Sequence, residues 1–238
     1  MSNRTSTSAH AQQITAPWLA ALRQRFRTLP LLKATGNTLF LVIFFYLYLY
    51  IQRNPVFEVT QIPATPLDRW IGFQPSALGL YLSLWVYTAL PVALQPDLRQ
   101  LARYGVHIGV MFAISLLIFV LWPTSVSAAV GAREGSGVFA MMYAVDTNGN
   151  ACPSLHVAAA VFSCMWLQAT LRAVTAPAWP RWISVCWCVG ICYSTLAVKQ
   201  HLLVDLLAGG TLGAVAGWWS LRIAARDSRA TGLPDTSQ

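Results

Sequence analysis

The chain has 238 residues, enough for one compact domain and marginal for two. Hydrophobic residues make up 56% of it and charged residues only 10%, which excludes a disordered chain, a collagen-like chain and most soluble enzymes. The net charge of +8 comes from short basic clusters between long apolar runs, so we expect a membrane protein with no nucleic-acid partner.

The first 30 residues are polar to mixed, and we expect residues 1–30 to form a partly disordered cytoplasmic tail. The first apolar run, residues 31–51, starts too late and is too long for a secretory signal. We therefore interpret it as an uncleaved membrane helix, because it is long enough to cross a bilayer.

Five further runs approach the length that a spanning helix needs. They cover residues 76–95, 104–122, 155–173, 181–198 and 202–221. Pro91 lies inside one of them, where proline is tolerated in membrane helices. The predicted fold class is all-α: an integral membrane bundle of six transmembrane helices over residues 31–222, with a cytoplasmic tail over 223–238.

The positions of Lys and Arg indicate the orientation of this bundle. With six helices both termini lie on one side, and that side carries 12 of the 16 cations, which makes it cytoplasmic. The other side carries Arg53, Arg69, Arg133 and Lys199. We therefore expect a protein of the cell inner membrane, with segments 52–75, 123–154 and 199–201 on the outer, periplasmic or lumenal face.

Three ionisable residues fall together at the predicted outer ends of helices, although they are far apart in sequence: His156, His201 and Asp205. Such residues are costly in membranes and indicate function. His201 and Asp205 are four residues apart and share a helix face, so the carboxylate can orient an imidazole that acts as base or nucleophile. A polar pair that only caps the last helix is the alternative.

The tetrapeptide from Pro153 to His156 (PSLH) precedes the fourth predicted helix. Proline suits the start of a helix, and Ser154 can bond free backbone N–H groups there. A helix N-terminus also attracts anions, so this motif predicts an anion cradle beside a histidine. A well-capped helix without chemistry is again the alternative. Cys188 and Cys192 share a helix face, but nothing completes a zinc pattern around them, and we expect no metal site.

Two segments carry a resemblance to a known family. Residues 153–156 (PSLH) and 194–205 (STLAVKQHLLVD) resemble the signatures PSGH and SRxxxxxHxxxD of the type-2 phosphatidic acid phosphatase superfamily. The leucine of the first motif and the Lys-Gln-His run of the second are similar to the branch that includes inositol phosphorylceramide synthases. The stretch from Asp68 to Phe73, followed by Tyr81, also resembles that branch.

The resemblance implies a mechanism through a phosphohistidine, with no cofactor. His201 would attack the phosphorus of a lipid phosphate, and Asp205 would orient it. His156 would protonate the leaving oxygen and then activate water or an acceptor hydroxyl. Ser154 and nearby backbone N–H groups would hold phosphate oxygens.

Two departures from the family pattern concern its cations. Thr195 stands where the family has arginine, and the family motif KxxxxxxRP is absent after the third predicted helix. A phosphoryl group without cations is poorly stabilised. We expect Lys199 and Arg133 to be the substitutes.

These observations favour a membrane lipid phosphatase that hydrolyses a lipid phosphate monoester or diphosphate at the outer face. A lipid phosphotransferase using the same site is the first alternative. A transporter or structural membrane protein is the second, although the ionisable residues cluster at helix ends rather than at mid-bilayer, where transport sites lie. The expected partners are the lipid phosphate and the surrounding membrane lipids, with no prediction of oligomeric state.

Overall fold

The structure is a computed structural model that describes residues 16–126, 137 and 149–230. Helical segments cover all six apolar runs. The helices are α1 (Pro17–Arg27), α2 (Pro30–Arg53), α3 (Pro66–Trp70), α4 (Leu78–Leu82), α5 (Leu84–Ala93), α6 (Leu98–Leu121), α7 (Leu155–Ala173), α8 (Ala178–Ala197) and α9 (Leu203–Ala230). Among the described residues, three helical stretches are long and apolar enough to cross a membrane: Pro30–Arg53, Pro75–Ala93 and Leu98–Leu121.

The second of these stretches is broken where the sequence predicts one helix over 76–95. A 3₁₀ turn over Pro75–Ala77 leads into α4, and Ser83 separates α4 from α5. The Ser83 hydroxyl donates to the Leu80 carbonyl at 2.6 Å and accepts from the indole N–H of Trp187 at 2.8 Å. A serine that bonds its own helix's carbonyl competes with the regular ladder and bends the helix, which explains the break.

The C-terminal ends of α2 and α8 and the start of α7 lie at one end of the bundle, which we call the His201 end. The Asn150 side chain, just before α7, donates to the carbonyl of Tyr48 near the end of α2 at 3.2 Å. The Gln74 N–H, just before α4, donates to the carbonyl of Ala197 at the end of α8 at 2.9 Å. Successive long helices therefore run in opposite directions.

The opposite end, which we call the Lys33 end, is closed by α1. The Lys33 ammonium donates to the carbonyl of Arg25 in α1 at 2.7 Å and to that of Ala93 at the end of α5 at 2.8 Å. Trp18 of α1 meets Trp179 of α8 edge to face, with ring centroids 5.8 Å apart. The sequence predicts a partly disordered tail over residues 1–30, and the described part of that segment contains this short helix.

Two short strands also depart from the all-α prediction. β1 (Thr60–Ile62) and β2 (Thr124–Val126) pair in parallel, with Thr60 opposite Thr124. Each strand follows a long helix and lies at the His201 end, where the Trp122 indole N–H donates to the Thr60 hydroxyl at 3.1 Å. Three-residue strands are too short to show an alternating pattern, so periodicity does not reveal them.

The α7 and α9 backbones pack against each other at very close range. A Cβ atom added to Gly209 would overlap the carbonyl of Ser154, and one added to Gly213 would overlap that of Ala158. Small residues let membrane helices approach this closely. The spacing of the glycines in α9 therefore reflects packing inside the bundle, and it fixes the start of α7 against the start of α9.

Candidate active site

The loop between α8 and α9 brings His201 to the start of α7. Lys199 adopts a positive φ of 59°, which turns the chain sharply after α8. The N–H groups of Gln200 and His201 then both donate to the carbonyl of Thr195 at 3.2 Å. The position of the His201 backbone is therefore set by the C-terminal cap of α8.

The His201 side chain is buried, with 6% of its surface exposed, and both ring nitrogens have partners. Nδ1 lies 3.1 Å from the carbonyl oxygen of Ala151, and Nε2 lies 3.3 Å from Nδ1 of His156. Burial, with a smaller contribution from nearby His156, lowers the pKa of His201 to about 3, although the Ala151 carbonyl opposes the shift. At neutral pH the ring is therefore uncharged and one nitrogen carries a lone pair.

His156 lies in the first turn of α7 and contacts a tyrosine from the second predicted span. The hydroxyl of Tyr81 is 2.7 Å from Nε2 of His156, and the two rings lie 4.9 Å apart at an angle of 32°. The sequence associates Tyr81 with the site only through the family resemblance and assigns it no role. A tyrosine inside an apolar run is equally typical of packing, so its spacing gives no further signal.

Asp205 is fully buried in the first turn of α9. Its Oδ2 accepts from the N–H of Leu202 at 2.8 Å and lies 3.9 Å from Nδ1 of His201, beyond hydrogen-bond distance. Oδ1 has no hydrogen-bond partner in the part of the chain that the structure describes. The carboxylate is thus close enough to stabilise positive charge on the imidazole, but the Ala151 carbonyl is the nearer partner of Nδ1.

Ser154 connects the two motifs through the backbone. Its N–H donates to the carbonyl of Asp205 at 3.0 Å, and its hydroxyl accepts from the N–H of Val157 at 3.3 Å as the N-cap of α7. The sequence predicts this capping role as well as a phosphate contact. The capping bond is present, and it aims the first turn of α7 toward His201.

Lys199 and Asp68 form a second polar cluster beside the site. The Lys199 ammonium donates to the carbonyls of Asp68 and Ile71, and only 4% of the residue is exposed. Burial lowers the pKa of Lys199, while the Asp68 carboxylate opposes the shift. The Asp68 carboxylate also accepts from the N–H of Leu203 at 2.8 Å, the first residue of α9. The α3 segment therefore holds both sides of the loop that carries His201.

An elongated cavity of about 770 Å³ opens onto the two histidines. His156, His201 and Tyr81 line it at the His201 end, and it continues between α2, α5 and α6 as far as Lys33 and Leu98. Most of its remaining lining is apolar and aromatic, including Phe40, Phe44, Trp85 and Phe112. Such a lining suits a hydrocarbon chain rather than a polar substrate.

The structure thus brings His156, His201, Asp205 and Ser154 together. Arg133, the other predicted phosphate ligand, lies outside the described residues. The arrangement pairs an uncharged imidazole that has a lone pair with a second imidazole that can transfer a proton, at the head of an apolar cavity. Such a pair is suited to nucleophilic catalysis with acid–base assistance.

Comparison with known proteins identifies a family for the chain. No curated protein matches it, and no solved structure does. The PAP2 superfamily matches residues 3–229, nearly the whole sequence. Members of this superfamily are generally phosphatases or phosphotransferases, and the chain belongs to the PAP2 superfamily.

Proposed function

We propose that the protein is an integral membrane lipid phosphatase that hydrolyses a lipid phosphate monoester or diphosphate through a phosphohistidine. The observation that carries the proposal is the 3.3 Å contact between His201 Nε2 and His156 Nδ1 at the head of the apolar cavity. A lipid whose chain occupies the cavity has its phosphate beside both imidazoles.

In the proposed reaction, Nε2 of His201 attacks phosphorus while His156 gives a proton to the leaving oxygen. The new N–P bond puts positive charge on the His201 ring, and the Asp205 carboxylate, 3.9 Å from Nδ1, stabilises it. His156 then takes a proton from water as the water attacks phosphorus and the N–P bond breaks. The cycle ends with both imidazoles uncharged.

The phosphate charge needs donors at the site. We propose the first-turn N–H groups of α7 with Ser154, together with the cations Lys199 and Arg133. The Lys199 ammonium rests on two carbonyls, so binding phosphate would require it to exchange partners. Lys199 therefore has a structural role as well as the proposed contact with phosphate.

We also propose that all six long helical segments cross the membrane, with the His201 end outward and both termini in the cytoplasm. The less apolar helix α7 is mostly buried against other helices, where small and polar residues are tolerated. α8 and α9 expose large apolar side chains on their outer faces, such as Trp182 and Val215, and these can face lipid. The basic residues near the Lys33 end support this orientation through the positive-inside rule.

The experiment that tests the proposal is a panel of lipid phosphates and diphosphates offered to the purified protein in detergent. We expect the wild-type protein to release inorganic phosphate, and His201→Ala and His156→Ala to abolish release while still inserting in membranes. Vanadate should inhibit, because it mimics five-coordinate phosphorus, and chelators should have no effect. Full activity in either histidine variant would refute the assignment.

The same panel distinguishes hydrolysis from transfer, because both reactions pass through the phosphohistidine. The samples therefore contain acceptor alcohols, and new phospholipids are measured beside free phosphate. A new phospholipid without free phosphate would identify a lipid phosphotransferase with the same catalytic residues. If the folded protein forms neither free phosphate nor a new phospholipid from any substrate, the non-enzymatic alternative becomes the better one.

A further inference from the structure

The imidazoles of the site belong to a longer chain of hydrogen bonds. The hydroxyl of Tyr81 lies 2.7 Å from Nε2 of His156, whose Nδ1 lies 3.3 Å from Nε2 of His201. Nδ1 of His201 in turn lies 3.1 Å from the carbonyl oxygen of Ala151. One line of contacts therefore runs from a phenol, through two imidazoles, to a backbone carbonyl.

The carbonyl at one end sets the direction of every bond in this line. A carbonyl oxygen can only accept, so Nδ1 of His201 carries the proton, and Nε2 of the uncharged ring carries the lone pair. That lone pair accepts from Nδ1–H of His156. The uncharged His156 then has its own lone pair on Nε2, which accepts from the Tyr81 hydroxyl.

These tautomers suit the first half of the proposed reaction. The lone pair of His201 is on the nitrogen that attacks, and the proton of His156 is on the side that faces His201. A substrate phosphate that enters between the two rings meets a nucleophile and a proton donor at once. However, His156 becomes an imidazolate when it gives that proton away, unless a proton reaches its Nε2.

We propose that Tyr81 acts through His156 and supplies a proton to its Nε2 as His156 protonates the leaving oxygen. The inference rests on the proposed function. Tyr81 is placed for this step, because it lines the cavity beside His156 and only 6% of its surface is exposed. Its hydroxyl touches the nitrogen that must gain the proton.

The step balances in both half-reactions. As the His201 N–P bond forms and the P–O bond to the leaving group breaks, the Nδ1 proton of His156 goes to the leaving oxygen. The Tyr81 proton goes to Nε2 of His156, and Tyr81 becomes a phenolate. When water attacks phosphorus, its proton goes to Nδ1 of His156, the Nε2 proton returns to Tyr81, and the N–P bond breaks.

The test compares two substrates that carry the same long chain, an alkyl phosphate and a nitrophenyl phosphate. An alkoxide needs a proton to leave, whereas a nitrophenolate leaves without one. We expect Tyr81→Phe to lower kcat for the alkyl phosphate by about 100-fold, within the range typical of general acid catalysis, and to change the nitrophenyl phosphate rate little.

Tyr87→Phe is the matched control. Tyr87 is a buried tyrosine on the same span, and its hydroxyl bonds Ser184 rather than a histidine. It should lower both rates equally or not at all. Fluorotyrosine at position 81 keeps the shape of the side chain and changes its acidity, and it should shift the alkyl phosphate rate alone.

Equal losses of rate with the two substrates in Tyr81→Phe, or no effect of fluorotyrosine, would overturn the role of Tyr81. The proposed function would still stand if the wild-type protein is active and His201→Ala is not. No turnover of either substrate by the wild-type protein would overturn the proposed function and the role of Tyr81 with it.

Discussion

Lys33 and Lys199 lie at opposite ends of the bundle, and both are buried. Each ammonium donates to two backbone carbonyls: Lys33 ties α2 to α1 and α5, and Lys199 ties the α8–α9 loop to the α3 segment. At the Lys33 end this bond holds a peripheral helix. At the His201 end it holds the loop that carries the proposed nucleophile, so the same contact serves stability at one end and site geometry at the other.

Helix α9 also packs differently at the two ends of the bundle. Near the His201 end, Gly209 faces the backbone of Ser154, which cannot move without shifting the start of α7. Farther along, Gly217 faces the flexible side chain of Met165. The His201 end is therefore packed backbone to backbone, whereas the other end can adapt through side chains.

The largest effect is expected from adding one methyl group at the His201 end. Gly209→Ala drives a Cβ into the Ser154 carbonyl, and overpacking of this kind costs about 1–3 kcal/mol or more. We expect a lower melting temperature and loss of phosphate release, because Ser154 positions His156. Gly217→Ala is the control and costs about 1 kcal/mol or less, since Met165 can change rotamer. Equal effects of the two variants on activity would contradict the difference in rigidity.

A smaller effect is expected from removing the two lysines. Lys199→Met leaves the buried carbonyls of Asp68 and Ile71 without the ammonium, at about 1–3 kcal/mol for a buried polar group left unsatisfied. Lys33→Met removes bonds to the half-buried carbonyls of Arg25 and Ala93, so both variants should lower the melting temperature. Only Lys199→Met should also lower kcat strongly, because it frees the loop of His201. An unchanged kcat in Lys199→Met would contradict the holding role.

The KM of Lys199→Met then distinguishes its two proposed roles. If the ammonium stays on the carbonyls of Asp68 and Ile71 during turnover, the KM for the lipid phosphate is unchanged. If it moves to the phosphate, the KM rises and vanadate inhibits less.

The long helices and the grouping of the motif residues follow from the sequence. Apolar runs predict helices, and alternating directions bring His156, His201 and Asp205 to one end. The contacts that complete the site depend on residues about 75 to 135 positions apart, such as Tyr81 with His156 and Asp68 with Leu203. A single sequence contains no periodicity that pairs such distant residues, so these contacts emerge only from packing.

The direction of the Lys199 side chain is a second point that the sequence leaves open. A lysine two residues before a histidine suggests a phosphate ligand, and its positive φ and the nearby α3 carbonyls are not visible in the pattern. The break at Ser83 also involves a distant residue, because the Ser83 hydroxyl accepts from Trp187 of α8 while it donates to the carbonyl of Leu80. In both cases a polar group has a partner that is distant in sequence, and the pattern of residues does not reveal that partner.

The effect expected to be smallest near neutral pH is a dependence of stability on pH. His201 has a folded-state pKa of about 3, against about 6.5 in the unfolded chain, so between these values the unfolded state binds the extra proton. This contribution to stability is complete above pH 6.5 and is lost as the pH falls toward 3. We expect the melting temperature of the wild-type protein to fall more steeply from pH 7 to pH 4 than that of His201→Gln. Gly217→Ala keeps His201, so its melting temperature should change with pH as steeply as that of the wild-type protein. If wild type and His201→Gln instead show parallel slopes, burial at the His201 end does not hold the imidazole uncharged.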